Sequence, residues 1–222
     1  MTHRYKIMLG GGFLFLLLSA GIAQAIPSLQ LYIPGSTYDT TSESWVTNAS
    51  NFELQVLGAS SPASAKYITD VMLYVAIKES EKGLKGAYVK VNGSPITFDN
   101  LGTPMPAHGI YPTYYSAYSL PDLMVSTAGE IINNYNPGEQ GTDSGDIQYL
   151  QIEYGGYSSL HFDASGTVIG TCGNTWERKA PFSHDAEAIN TNQNAVPEPA
   201  TMLLLGTGMF GLASIKRRFA SK

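Results

Sequence analysis

The sequence is short of cysteine, of basic side chains in its middle and of any helical repeat of apolar residues. One cysteine in 222 residues, Cys172, excludes an intramolecular disulfide, so the fold must rest on packing or on ions drawn to an acidic surface. Cys172 lies in Thr171-Cys172-Gly173-Asn174, a turn-like context, and reads as an inert, half-buried thiol, with a free thiol or an intermolecular link as the alternatives. Six of the 13 basic residues (Arg4, Lys6, Lys216, Arg217, Arg218, Lys222) fall at the two ends, which leaves 7 basic against 17 acidic side chains between residues 26 and 195. A surface of that sign repels phosphate backbones and excludes nucleic acid as a partner.

Long apolar runs are missing from the middle and present at both ends. His3, Arg4 and Lys6 precede an apolar run from Ile7 to Leu18, and the small residues Ala23 and Ala25 lie at −3 and −1 from Ile26. A basic start, a greasy middle and small residues before a cleavage point describe a secretory signal peptide over 1–25. Signal peptidase and the Sec translocon are its implied partners.

The other end has three parts in order. Val196-Pro197-Glu198-Pro199 cannot continue a helix or a central strand, because proline fixes φ and lacks an N–H. Residues 200–215 carry no charge and as a helix would reach about 24 Å, slightly short of a hydrocarbon core of roughly 30 Å. Lys216, Arg217 and Arg218 hold the end of that span on the cytoplasmic side by the positive-inside rule. Residues 196–222 therefore resemble the PEP-CTERM sorting domain of exopolysaccharide-producing Gram-negative bacteria. The resemblance implies an exosortase as partner, transient anchoring in the inner membrane, and a final place at the cell surface or outside it. An ordinary membrane anchor would explain the span and the charges but not the Pro-Glu-Pro. The run Gly206-Thr207-Gly208-Met209-Phe210-Gly211 matches a dinucleotide fingerprint in letters only, since no strand–turn–helix surrounds it. No cofactor is expected.

Between the two signals, residues 26–187 read as one all-β domain, an antiparallel β-sandwich or jelly roll, followed by a linker over 188–195. Leu29–Ile33, Asn51–Leu57 and Asp146–Tyr154 alternate with period two, and Ile68–Lys78 is the densest apolar strand. Ala87–Val91 and Ile96–Phe98 flank the hairpin pair Asn92-Gly93. Residues 99–130 and 133–145 read as loops, and Asp163-Ala164-Ser165-Gly166 as a turn between Ser159–Asp163 and Thr167–Ile169. The body resembles the choice-of-anchor N proteins in Leu31–Thr40, His108–Tyr115, His161–Ala164 and Ala180–Ala186. That resemblance implies export and brings no activity.

The chemistry-bearing residues are few. His108, His161 and His184, with Asp163 and Asp185, form a weak candidate metal set, in which three imidazoles from separate segments would have to converge. Histidines pinning backbone carbonyls are the plainer reading. Glu139, Asp143 and Asp146 offer oxygens for Ca²⁺ but lack the EF-hand order. Ser183-His184-Asp185 spells a hydrolase triad, yet consecutive side chains are expected to point apart, and no Gly-x-Ser-x-Gly elbow occurs in the body. Tyr111, Tyr114, Tyr115 and Tyr118 crowd one loop and suit sugar faces, or else pack over the sandwich edge. The expectation is a non-catalytic envelope or extracellular-matrix protein with a structural or interaction role linked to exopolysaccharide or biofilm. Its alternatives are a carbohydrate-binding module using the tyrosines and, less so, a glycan hydrolase.

Overall fold

The computed structural model describes residues 26–61, 64–105 and 112–191. The expected signal peptide over 1–25, the C-terminal tail with its expected transmembrane span at 200–215, His108 and Tyr111 lie outside them. The described strands are β1 (Leu29–Tyr32), β2 (Thr37–Asp39), β3 (Ser44–Thr47), β4 (Asn51–Ala59), β5 (Ala65–Lys78), β6 (Tyr88–Val91), β7 (Ser94–Pro95), β8 (Asn100–Gly102), β9 (Thr113–Ser119), β10 (Glu130–Asn133), β11 (Thr142–Gly155), β12 (Ser159–Gly170), β13 (Thr175–Lys179) and β14 (Asp185–Ile189). Single 3-10 turns occur at Glu79–Glu81 and Phe182–His184, and no α-helix occurs among the described residues. The class is all-β, as expected.

Two sheets share one core. The first runs β1-β4-β11-β6-β7, with β10 also on β11; the second runs β2-β3-β14-β12-β5-β9-β8, with β13 also on β12. Leu31, Leu54, Val56 and Ile152 of the first sheet and Leu73, Val75, Phe162 and Ala186 of the second belong to the same buried cluster. Phe52 on β4 meets Phe162 on β12 edge to face at 5.9 Å. Each large apolar side chain so buried contributes roughly 1.5–3 kcal/mol, which is how a chain without disulfides holds two layers together.

The alternation on β5 is interrupted by design of its backbone. Leu73, Val75 and Ile77 face the core, as does Val71, but the next core residue is Ile68, three positions back. The register against β12 shifts between Ser165 and Thr167, so β5 carries one extra residue there. Asp70 takes it up with φ of +51°. A Cβ on Gly166 would lie 2.7 Å from Ile68 Cγ2, so glycine is required for close approach. Asp163-Ala164-Ser165-Gly166 is therefore the middle of a continuous strand, and the expected turn is corrected.

Other expectations are corrected for similar reasons. The tyrosine segment is not a loop: Tyr114, Tyr115 and Tyr118 lie on β9, hydrogen-bonded between β5 and β8. Partial burial along most of β9 removes the polar–apolar alternation that would have marked it. The hairpin at Asn92-Gly93 has both residues at positive φ, but its return strand is Ser94–Pro95, and Ile96–Phe98 is not a strand. Of the expected loop at 133–145, only 134–141 is a hairpin tip, since Asn133 belongs to β10 and 142–145 to β11. One pairing, β14 with β3, is parallel in sheets otherwise antiparallel. β14 runs through Ile189, with Ala188 fully buried, so the linker cannot begin at 188. Cys172 is exposed rather than half-buried.

Candidate functional site

Strands β12 and β14 carry the candidate site on the face of the second sheet turned away from the shared core. Leu160, Phe162 and Ala164 of β12 enter the core, so period two sends His161 and Asp163 to the other side. On β14, Ala186 and Ala188 enter the core, which sends Asp185 and Glu187 to that same outer side. His161 stands opposite Glu187, and Phe162 opposite Ala186. On its other side His161 stands opposite Ala76 of β5, a small residue that leaves room above the sheet.

Three donor groups meet here. His161 Nε2 lies 3.4 Å from Asp163 Oδ1 and 3.6 Å from Asp185 Oδ2. One ligand atom from each of the three residues falls within 4.8 Å of the others. Both carboxylates are 0% exposed, while the His161 side chain keeps 20%. The outer face is thus covered at the two aspartates, and the Phe182–His184 turn leads directly into Asp185. Burial alone would push the His161 imidazole down, but interaction with Asp163 and then Asp185 overcomes it and holds the group up at about 10.

Above the cluster opens a cleft of about 820 Å³. His161, Glu187, Lys78, Phe182, Ser44 and Thr113 are among the residues that line it. Burial pushes the Glu187 carboxyl up, partly offset by the positive charge of His161. Lys78 Nζ donates to Ser158 Oγ at 2.8 Å, which orients the ammonium group.

Of the candidate metal ligands, the structure gathers His161, Asp163 and Asp185. His184 is engaged elsewhere: its Nε2 lies 2.9 Å from Asn134 Oδ1 and its Nδ1 3.0 Å from Ser183 Oγ. The two described imidazoles therefore serve different ends. The adjacent Ser183 and His184 do touch, against expectation, because the 3-10 turn curls them together; their third partner is Asn134, and Asp185 faces His161 instead.

The calcium reading is corrected. Asp143 accepts from Ser60 Oγ and Ser61 N, Asp146 accepts from Met124 N, and Glu139 accepts from Asn134 and Asn136. These three acids fasten three different turns. Tyr114 and Tyr118 pack against the core, and Tyr115 meets Tyr74 edge to face at 6.1 Å on the outer side. They do not form one platform.

Lys78, Glu187 and Phe182 were missed by sequence reasoning. The alternation Asp185-Ala186-Glu187-Ala188 was the available signal, since charge and alanine at period two describe a strand with one polar face.

No curated protein matches the chain. A solved structure described as "AvmM Catalyzes Macrocyclization in Alchivemycin A Biosynthesis" aligns over 69% of this chain and 89% of its own, at 8% identity and a TM-score of 0.31, too slight a likeness to assign fold or activity. Residues 195–218 match the PEP-CTERM protein-sorting motif, so the chain carries the sorting signal of an exported protein that is membrane-anchored before an exosortase processes it.

Proposed function

We propose that this protein is a non-catalytic component of the envelope or extracellular matrix of a Gram-negative bacterium, released to the surface by exosortase processing, with its β body binding the exopolysaccharide of the producing cell. A signal peptide over 1–25 and the body's resemblance to the choice-of-anchor N proteins agree with that destination, and the two-sheet body is read as a β-sandwich. The sorting motif at 195–218 carries the reading. The cleft gives it a site: the Glu187 carboxylate and the Lys78 ammonium group supply a polar acceptor and donor, and the Phe182 ring the apolar face, that a sugar ring engages. The half-buried tyrosines of β9 are less suited, because Tyr114 and Tyr118 already serve the core and Tyr115 packs on Tyr74 of β5.

The test is retention of the full chain on the producer's own exopolysaccharide, with Phe182→Ala and Glu187→Gln as variants. Loss of retention in both, with the fold intact by circular dichroism, is expected. Undiminished retention in both would remove the cleft from the account. Persistence of the protein in the membrane fraction of an exosortase-deficient strain, and its release in the parent, tests the sorting half.

A further inference from the structure

We propose that His161, Asp163 and Asp185 hold a divalent transition-metal cation of the zinc type beside the cleft. The donor set is one imidazole nitrogen and two carboxylate oxygens, delivered by two hydrogen-bonded strands. A nitrogen ligand argues against Ca²⁺, which takes about six to eight oxygens, and favours a borderline ion such as Zn²⁺.

The spacing is the second argument. A direct charge-assisted N–H···O bond is about 2.7–2.9 Å long. The observed separations are 3.4 and 3.6 Å, and His161 Nε2, an atom closed off from solvent, makes no hydrogen bond of normal geometry. Donors bound at about 2.0–2.2 Å around a tetrahedral centre stand about 3.3–3.6 Å apart. Each carboxylate oxygen thus stands from the imidazole nitrogen at the separation that two ligands of one ion keep.

Charge gives the third. Two ionised carboxylates draw a dication more strongly than they draw a single proton, and the ion takes the imidazole in its neutral form. Three protein ligands leave a fourth position, and His161 lines the cleft, so that position opens toward whatever the cleft admits. Glu187, opposite His161 in register, stands beside it. A site of this form is suited to gripping an oxygen of a bound molecule. The cation reading does not need the glycan reading, and either can fail alone.

The full chain, purified in detergent and stripped with a chelator, is titrated with Zn²⁺ alone and, in parallel, Ca²⁺ alone by calorimetry. One Zn²⁺ per chain is expected, with no comparable Ca²⁺ binding, and with affinity lowered at least about 100-fold in His161→Gln and in Asp185→Asn. Because an altered buried aspartate can disturb folding, Co²⁺ added to the unaltered protein gives an independent reading: the intense visible absorption of a four-coordinate ion, bleached by Zn²⁺. His184→Gln, outside the cluster, retains both signals. Absence of stoichiometric Zn²⁺ binding, a six-coordinate Co²⁺ spectrum, or full affinity in a folded His161→Gln protein overturns the site and leaves His161 as a protonated partner of its two aspartates.

Discussion

Ser183 Oγ and His184 Nδ1, on consecutive residues, meet at 3.0 Å, and the opposite ring nitrogen of His184 reaches Asn134 across 50 positions of sequence. Asn136 Nδ2 donates to Ser183 Oγ at 3.4 Å, so the β10–β11 hairpin tip is tied to the turn that opens β14. The latch works with a neutral imidazole, since burial pushes His184 down to about 4 against the opposing pull of Glu139.

An acid-sensitive stability follows from that neutral ring. In the unfolded chain the His184 imidazole takes its proton near pH 6.5, and in the folded protein only near 4. Between those values the unfolded chain binds the extra proton, so the stability present above 6.5 is lost as the pH falls toward 4, by roughly 3 kcal/mol in all. His184→Gln lowers stability at pH 7 but shows a flatter dependence across the window. Urea midpoints from pH 7.5 to 4 measure both; parallel curves for the two proteins would refute the assignment.

Asn134→Ala removes one atom, Oδ1, that serves both His184 Nε2 and, at 3.1 Å, Asn136 N. Losing partners for buried polar groups costs about 1–3 kcal/mol. The His184→Gln and Asn134→Ala double variant is expected to lose less than the sum, because both cut one network. A double-mutant cycle in urea reads the coupling, and strict additivity would show that the latch does not act as a unit.

Tyr114 is held for structure. Its ring packs against the core, with Lys82 Nζ at 4.0 Å from the centroid. Tyr114→Ala is therefore expected to cost about 2–4 kcal/mol of stability, from lost burial and the cation–π contact together. Exopolysaccharide retention at a temperature where the variant is folded should be unchanged. A folded variant with normal stability and no retention would return sugar binding to the tyrosines.

What could be read from the sequence was whatever period two or an address signal writes locally. Phe52, Leu54 and Val56 alternate with Glu53 and Gln55, and all three apolar side chains are buried. The site resisted reading because its aspartates belong to strands that do not look like strands. Asp163 is followed by Ala-Ser-Gly, which suggests a turn until Gly166 is seen to be needed against the β5 bulge. Asp185 begins β14, whose parallel pairing with β3 joins segments 141 residues apart through no local signal (Asp185 with Ser44). Sequence named both residues, and only the sheet order makes them neighbours.

The bulge itself offers the sharpest test of how the site is held in register. Asp70 sits at φ +51°, in the left-handed region where a β-branched side chain is strained and glycine is not. Asp70→Gly is expected to leave stability within about 0.5 kcal/mol, and Asp70→Val to cost about 1–3 kcal/mol. If the strain is relieved by sliding β5 one residue along β12, Ile68 leaves the core face and Ala76 no longer stands opposite His161. Asp70→Val should then weaken Zn²⁺ binding although Asp70 touches none of the proposed ligands, while Asp70→Gly should not. Calorimetry on both folded variants decides: equal affinity in the two would show that the cluster's geometry does not depend on this register.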